Sequence, residues 1–267
     1  MSRTALITGA SSGIGRATAA LLVTRGWTVI GTSRNPDGIP AEDRVPGVEY
    51  VALDVADPAS VEAFAGRLKD VDALVNNAGQ SHAGPLEDLP PDAMRRLFEI
   101  NVFAPVRLAQ LALPAMRERG SGRVVMVGSM NASFPMAYRS LYIATKAALK
   151  GFAEAARAEY APFGVWLTTV EPGSISTGIS ERRATDIAPG SPHRADYETL
   201  LANMRRFEQS GPAPAKIAEI IVRALEADRP KPFYALGSGA PWVFLVQRLI
   251  PRHLMSKATH RKFGLSR

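Results

Sequence analysis

Residues 5–22 read ALITGASSGIGRATAALL, a short apolar strand that leads through a glycine-rich turn into a helical pattern. In this turn Gly9, Gly13 and Gly15 have the spacing Gly-x-x-x-Gly-x-Gly, which differs from the common Gly-x-Gly-x-x-Gly fingerprint. Glycines at such a junction let the backbone approach a pyrophosphate, whose charge the helix N-terminus receives. The stretch therefore predicts an anion-binding turn, with a merely flexible turn as the alternative.

Six more apolar, β-branched runs follow this first strand, and helical segments separate them. The predicted strands are 5–8, 28–32, 48–54, 73–76, 123–128, 165–170 and 232–236. The predicted helices are 15–25, 60–69, 91–119 (two helices that meet near Asn101), 140–160 and 214–227. Such alternation predicts an α/β fold: a doubly wound Rossmann domain with a seven-stranded parallel sheet and helices on both faces.

Two segments depart from this alternation. Residues 172–214 are rich in Gly, Ser, Pro and Arg, with only a short helical stretch at 197–207, so we predict a substrate-binding lid there. Residues 238–267 form a C-terminal extension. Because no linker or repeat interrupts the rest, we predict one domain over residues 1–267.

Composition excludes several classes of protein. The chain is 46% hydrophobic and 21% charged, which is ordinary for a globular protein. With no cysteine it has neither disulfides nor thiolate metal sites, and no metal site is predicted. The cytoplasm is the expected location, because no apolar run has the length of a signal-peptide core or a membrane span.

The net charge of +7 raises the question of a nucleic-acid partner. Much of the excess lies in the tail, and no nucleic-acid-binding motif accompanies it, so a solvated basic C-terminus is the preferred interpretation. These basic residues are Arg252, Lys257, Arg261, Lys262 and Arg267. The apolar stretch 242–250 beside them is able to cover a substrate pocket or rest on a membrane surface, and packing against the body is the expected outcome.

The end of the second strand bears on the choice of cofactor. It reads GTSR at 31–34, with no acidic residue to hold the 2′-hydroxyl of NAD. Arg34 suits the 2′-phosphate of NADP, with Ser33 as a second ligand; a surface arginine is the alternative. Asp54, at the end of the third strand, suits the adenine amino group or caps the next helix.

Tyr142 and Lys146 lie four residues apart near the start of a predicted helix, so they share one face. A nearby ammonium favours the phenolate and lowers the pKa of a tyrosine, which makes the phenol usable as an acid/base near neutral pH. Ser129 ends the preceding strand and offers a hydroxyl to a substrate carbonyl. Asn101 is a candidate to hold a water beside Lys146; a buried structural role is its alternative.

Six motifs follow one another on the expected elements: TGASSGIG at 8–15, NNAG at 76–79, Asn101, Ser129, Tyr142 with Lys146, and PG at 172–173. In residues and order this set resembles the classical short-chain dehydrogenase/reductases, over residues 4–177. One departure is Met130 after Ser129, where a small residue is frequent in that family, so the pocket wall is expected to differ there.

The resemblance implies a catalytic tetrad of Asn101, Ser129, Tyr142 and Lys146. Tyr142 would donate the proton in reduction, Lys146 would also bind the nicotinamide ribose, and Asn101 would relay protons. With the turn and strand ends above, the resemblance completes the predicted cofactor-binding set: Gly9, Ser11, Ser12, Gly13, Ile14, Gly15, Ser33, Arg34, Asp54, Val55, Asn77, Ala78, Gly79, Tyr142, Lys146, Pro172, Gly173, Ile175 and Thr177. It also implies a homodimer or homotetramer built through the helices at 101–119 and 140–160.

The expected activity is hydride transfer between NADP(H) and a carbonyl or secondary alcohol. Apolar wall candidates predict a lipophilic substrate, and the C-terminal part is loosely similar to steroid- and retinol-dehydrogenase-type members. Those wall candidates are Met130, Phe134, Met136, Tyr138 and the tail. An NADP(H)-sensing regulatory protein without turnover is the alternative, since a fold alone does not prove catalysis.

Overall fold

The computed structural model of the protein describes residues 2–178, 181–240 and 242–265. Over these ranges the strands, in chain order, are β1 (Thr4–Ile7), β2 (Thr28–Ser33), β3 (Val48–Ala52), β4 (Ala73–Asn76), β5 (His82–Ala83), β6 (Gly122–Val127), β7 (Val165–Pro172), β8 (Ala184–Thr185) and β9 (Phe233–Leu236). Seven of them form one parallel sheet in the order β3-β2-β1-β4-β6-β7-β9. The short strands β5 and β8 pair separately.

Helices cover both faces of this sheet. They are α1 (Gly13–Thr24), α2 (Pro58–Ala63), α3 (Ala65–Leu68), α4 (Pro91–Phe98), α5 (Ala104–Glu118), α6 (Ser140–Tyr160), α7 (Arg194–Gln209), α8 (Pro214–Glu226), α9 (Trp242–Leu249) and α10 (Arg252–Lys262). A π-helical turn at Glu99–Phe103 joins α4 to α5. Short 3₁₀ turns lie at Ala41–Asp43, Leu86–Asp88, Met130–Ala132 and Ala161–Phe163.

The core consists of two apolar layers, one on each face of the sheet. Successive strand residues point to opposite faces, so Leu6 joins the layer under α5 and α6, whereas Ile7 joins the layer under α1 and α8. Leu108 of α5 completes the first layer, and Ile221 of α8 completes the second. Burial on both faces explains why the strands read as continuous apolar runs.

The order of strands determines where a ligand site lies. The chain builds β1, β2 and β3 towards one edge and then crosses back, so that β4 lies on the other side of β1. In open α/β sheets the crevice at such a switch point, at the carboxyl ends of the strands, is where ligands bind. The predicted fold class is confirmed, and the seven predicted strands match the observed ones to within two residues at either end.

Several local predictions were wrong. The helix predicted at 60–69 is two short helices that break at Phe64, and the helix in the predicted lid is longer than 197–207. The β5–β8 pair and the tail helices α9 and α10 were not predicted. The predicted lid and tail include positions 179, 180, 241, 266 and 267, and the predicted domain also includes position 1; these six positions lie outside the described residues.

In the described part of the chain, no helix combines the length and the apolar character that crossing a membrane requires.

Candidate active site

The carboxyl ends of the central strands open into a cavity of about 580 Å³. It receives almost every residue of the predicted cofactor and catalytic sets; Gly15 and Asn101 are the two predicted residues that do not line it. The predicted residues on its wall are Gly9, Ser11, Ser12, Gly13, Ile14, Ser33, Arg34, Asp54, Val55, Asn77, Ala78, Gly79, Ser129, Tyr142, Lys146, Pro172, Gly173, Ile175 and Thr177. One cavity therefore joins the glycine-rich turn to the tyrosine–lysine pair.

The glycine-rich turn is held by the segment that follows β4. The amide nitrogen of Asn77, Nδ2, donates to the carbonyl oxygens of Thr8 (2.9 Å) and Gly9 (3.3 Å), while the Thr8 hydroxyl accepts from the backbone N–H of Asn77. A Cβ on Gly15 would lie 2.3 Å from the Gly9 oxygen and 2.6 Å from Asn77 Nδ2. Gly15 thus acts by permitting close packing behind the turn, without reaching the cavity.

The N-terminus of α1 faces this cavity at Gly13. Its N-cap, Ser12, makes no side-chain cap hydrogen bond, and the first turn carries no acidic residue. The first N–H groups of a helix lack internal partners and its N-terminal end is positive, so this arrangement suits an anion such as a pyrophosphate.

The ends of β2 and β3 form the adjoining part of the wall. Ser33 and Arg34 both line the cavity, and Arg34 is exposed, with no ion pair among the described residues. Asp54 also lines it, and its carboxylate accepts from the N–H of Ala56 at 2.9 Å. The alternative that Asp54 caps the next helix is wrong, because Asp57 caps α2 by accepting from a backbone N–H.

Tyr142 and Lys146 come together on the first turns of α6. Both are buried, and Lys146 Nζ lies 5.9 Å from the centroid of the Tyr142 ring. Lys146 Nζ donates to the carbonyl oxygen of Val127 at 3.0 Å, which ties the lysine to the end of β6. Burial lowers the pKa of the Lys146 ammonium, an effect that Tyr142 partly opposes.

Ser129 follows β6 by two residues and begins a short 3₁₀ turn. Its oxygen accepts a hydrogen bond from the N–H of Asn131 at 3.2 Å, so the hydroxyl proton is available to a ligand. Met130, the departure from the family pattern, also lines the cavity and makes the wall beside Ser129 apolar.

Asn101 lies in the π-helical turn between α4 and α5, close to Lys146 but behind the cavity wall. Its Nδ2 donates to Gln80 O (3.0 Å) and Thr145 Oγ1 (3.1 Å), and its Oδ1 accepts from Gln80 N (2.9 Å). Both amide protons therefore have protein partners, which matches the structural alternative. Proton relay by Asn101 stays a prediction.

Arg139 is a residue of this site that the sequence reasoning missed. Its guanidinium lies 4.3 Å over the Tyr142 ring, is almost fully buried and donates to Ser81 Oγ at 3.0 Å. Burial lowers the pKa of Arg139 to about 10, so it is cationic at neutral pH. Its place at the N-cap of α6, three residues before Tyr142, was the available signal.

Several of the predicted apolar wall residues line the cavity. Met130, Phe134 and Met136 line it as predicted, whereas Tyr138 lines a separate shallow cavity. The predicted contribution of the tail is confirmed. Besides the predicted cofactor residues, the lid and tail add Ser174, Arg182, Met204, Glu208, Ser238, Val243, Met255, Ala258, Thr259, Lys262 and Phe263 to the wall.

Sequence comparison finds relatives along most of the chain. A profile of the family described as short chain dehydrogenase matches residues 3–188. The uncharacterized oxidoreductase YusZ of Bacillus subtilis is 31% identical over 262 residues, covering 92% of this chain and 93% of that protein. The 17-beta-hydroxysteroid dehydrogenase type 1 of Homo sapiens is 35% identical over 258 residues, covering 86% and 76% respectively.

Solved structures agree with this comparison. A short-chain dehydrogenase from Streptomyces avermitilis has a TM-score of 0.82 at 35% identity, covering 98% of this chain and 96% of that one. A short-chain dehydrogenase from Sphingobium yanoikuyae in complex with NADPH has a TM-score of 0.73 at 26% identity, covering 95% of both chains.

Proposed function

The chain belongs to the short-chain dehydrogenase family, and from that premise we propose that it is an NADP(H)-dependent oxidoreductase of lipophilic carbonyls or secondary alcohols. Membership makes it an enzyme that acts on CH–OH groups with NAD(P). The observation that carries the finer proposal is the meeting of Ser129, Tyr142 and Lys146 in one cavity with the glycine-rich turn.

NADP(H) is proposed to bind along the glycine-rich turn and the ends of β2 and β3. The close packing at Gly15 and the uncapped N-terminus of α1 leave a cradle of backbone N–H groups for the pyrophosphate. Arg34 and Ser33 are where a 2′-phosphate would bind, and Arg34 has no competing carboxylate partner among the described residues. These residues would hold the dinucleotide, which when bound would supply the hydride for the carbonyl carbon.

The proton chemistry belongs to α6 and the end of β6. In reduction Tyr142 gives its phenolic proton to the carbonyl oxygen, and in oxidation its phenolate takes that proton back. Ser129 donates a hydrogen bond to the same oxygen and orients the carbonyl group. Lys146 donates one hydrogen bond to Val127 O, which leaves two N–H groups for the ribose hydroxyls, while its charge stabilises the phenolate.

The proposal of a lipophilic substrate is supported by apolar side chains on the cavity wall. Met130, Phe134, Met136 and Val243 are apolar and line the same cavity as Ser129. The name of the human relative, a 17-beta-hydroxysteroid dehydrogenase, supports the same class of substrate. In this proposal residues 172–214 act as the lid that closes over the substrate.

Exposed aromatic side chains support a homo-oligomer. Phe103, at the start of the α5 region, is 53% exposed, and Phe152 on α6 is 50% exposed. Large apolar side chains exposed on neighbouring helices are typical of an interface. We propose a dimer or tetramer in which these two helices pair.

The proposed activity is tested by following NADPH absorbance with a panel of carbonyls that pairs each lipophilic ketone with a small charged analogue. We expect turnover of the lipophilic members with NADPH. Turnover restricted to the charged analogues would contradict the substrate class, and the absence of turnover across the panel would favour a non-catalytic NADP(H) sensor.

A further inference from the structure

The outer side of the C-terminal helices is unusually apolar. Of the eleven large hydrophobic side chains that are exposed in the described residues, six lie between positions 242 and 254. We name them the C-terminal apolar surface: Trp242, Leu245, Val246, Leu249, Ile250 and Leu254. Trp242 is 72% and Leu249 is 80% exposed, so these side chains face outward almost completely.

Contacts on the inner face of α9 hold this helix against the body and keep the C-terminal apolar surface turned towards solvent. Phe244 makes edge contacts with Phe134 and Phe233, at centroid distances of 5.0 and 4.8 Å. Gln247 donates to the carbonyl oxygen of Ser133 at 2.7 Å. The tail thus packs against the body as expected, but only with its inner face, and α9 cannot bury the outer face without losing these contacts.

The charged side chains of the C-terminal region itself have one sign. Residues 229–267 contain eight lysines and arginines and no aspartate or glutamate. Arg248, Lys257, Arg261 and Lys262 are exposed on α9 and α10. An apolar helix face bordered by basic side chains is the pattern of a helix that lies in a membrane interface and is attracted by anionic lipid headgroups.

We infer that the C-terminal apolar surface docks the protein onto anionic lipid bilayers. A second copy of the chain is the weaker occupant, because pairing this face with itself brings two clusters of basic side chains together, on chains that each carry a net charge of +7. An anionic bilayer accepts the apolar side chains and neutralises the basic ones at the same time.

Docking in this orientation has a consequence for the cavity. Val243 and Met255 belong to the same two helices and line the cavity wall, so docking would bring this wall close to the bilayer. If the substrate is lipophilic, which rests on the proposed function, it reaches the site from the lipid phase. Bilayer binding itself does not depend on that substrate.

Vesicle binding tests the inference, with Trp242 as a built-in probe. The chain has three tryptophans; Trp27 is only 6% exposed, and Trp166 is half-buried under the guanidinium of Arg157. Phosphatidylcholine vesicles containing phosphatidylglycerol are compared with pure phosphatidylcholine vesicles by co-sedimentation and Trp emission. We expect binding and a blue shift with the anionic vesicles only, and release as salt is raised.

Two variants and a matched control locate the contact. The double variant Leu245→Ser with Leu249→Ser should reduce vesicle affinity by roughly tenfold or more, since it removes two exposed apolar side chains that the bilayer would bury. Arg248→Gln with Lys257→Gln should weaken the preference for anionic lipid. Leu86→Ser, which changes a side chain that is 71% exposed elsewhere, should bind vesicles like wild type.

Failure of wild type to bind the anionic vesicles at low salt would overturn the inference, and so would unchanged binding by the Leu245→Ser, Leu249→Ser variant. Self-association that this variant abolishes, without lipid binding, would assign the surface to a second copy. Turnover of a water-soluble ketone without vesicles is measured in parallel, so that failure of the inference and failure of the proposed function are distinguished.

Discussion

Substitution of Gly15 by alanine should displace the glycine-rich turn and weaken cofactor binding, although the added methyl group does not itself reach the cavity. The added Cβ would lie 2.3 Å from the carbonyl oxygen of Gly9 and 2.6 Å from Asn77 Nδ2. Both neighbours are backbone or hydrogen-bonded groups, so the turn must move away from α1. We expect about 1–3 kcal/mol of overpacking, and about 1 kcal/mol more for weakened Asn77 hydrogen bonds.

These magnitudes convert into two measurable changes. For a chain of this size a loss of about 2–4 kcal/mol lowers the melting temperature by roughly 5–10 °C. Displacement of the N–H groups that face the pyrophosphate should raise the Kd for NADPH about tenfold, which corresponds to about 1.4 kcal/mol. Thermal unfolding followed by circular dichroism and an NADPH fluorescence titration measure the two effects on the same samples.

Gly151→Ala is the matched control for this substitution. Gly151 lies on α6, and a Cβ added there meets no atom within 4 Å. Alanine should therefore stabilise the helix by about 0.5–1 kcal/mol and leave NADPH affinity unchanged. The reasoning is refuted if Gly15→Ala melts like wild type and binds NADPH equally well.

Three further predictions concern single side chains. Arg34→Asp should move cofactor preference from NADPH towards NADH in a comparison of kcat/KM, because it replaces the cation that is proposed to bind the 2′-phosphate; an unchanged ratio counts against that assignment. Ser129→Ala should lower kcat by about 10²–10³ with little effect on NADPH affinity, as for the loss of one donor to a developing oxyanion, and wild-type kcat would exclude that role. Glu171 is fully buried beside Lys150 (3.1 Å), and burial raises the pKa of its carboxyl although Lys150 opposes the shift. Since the fold disfavours the ionised carboxylate, stability due to this group is present at low pH and is lost as pH rises through the raised pKa. Glu171→Gln should therefore gain melting temperature relative to wild type as pH increases, and a parallel pH dependence of the two proteins would contradict this.

The strands of the sheet were predictable because burial on both faces requires runs of consecutive apolar residues. Each parallel strand must be apolar at successive residues, as Leu6 and Ile7 are, and such runs stand out between helical segments. Asn101 marked the meeting of two helices, and the π-helical turn lies there. The cavity residues were predictable because the carboxyl ends of parallel strands lie at one edge of the sheet.

Contacts between distant segments could not be read from the sequence. The strands β5 and β8 have two residues each, too few for any periodicity. The burial of Arg139 against Tyr142 depends on Ser81, a partner fifty-eight positions away along the chain. A helix cap at Asp54 was left open as an alternative because Asp54 precedes α2, and only the structure shows that Asp57 is the residue that caps this helix.

The central claim is that Tyr142 exchanges the proton while NADPH provides the hydride. Tyr142→Phe removes the hydroxyl and keeps the ring that stacks against Arg139. With a ketone that wild type reduces, single-turnover NADPH oxidation by Tyr142→Phe should be slower by about 10²–10⁴, with an NADPH Kd like that of wild type. A wild-type rate of NADPH oxidation in this variant would contradict the account.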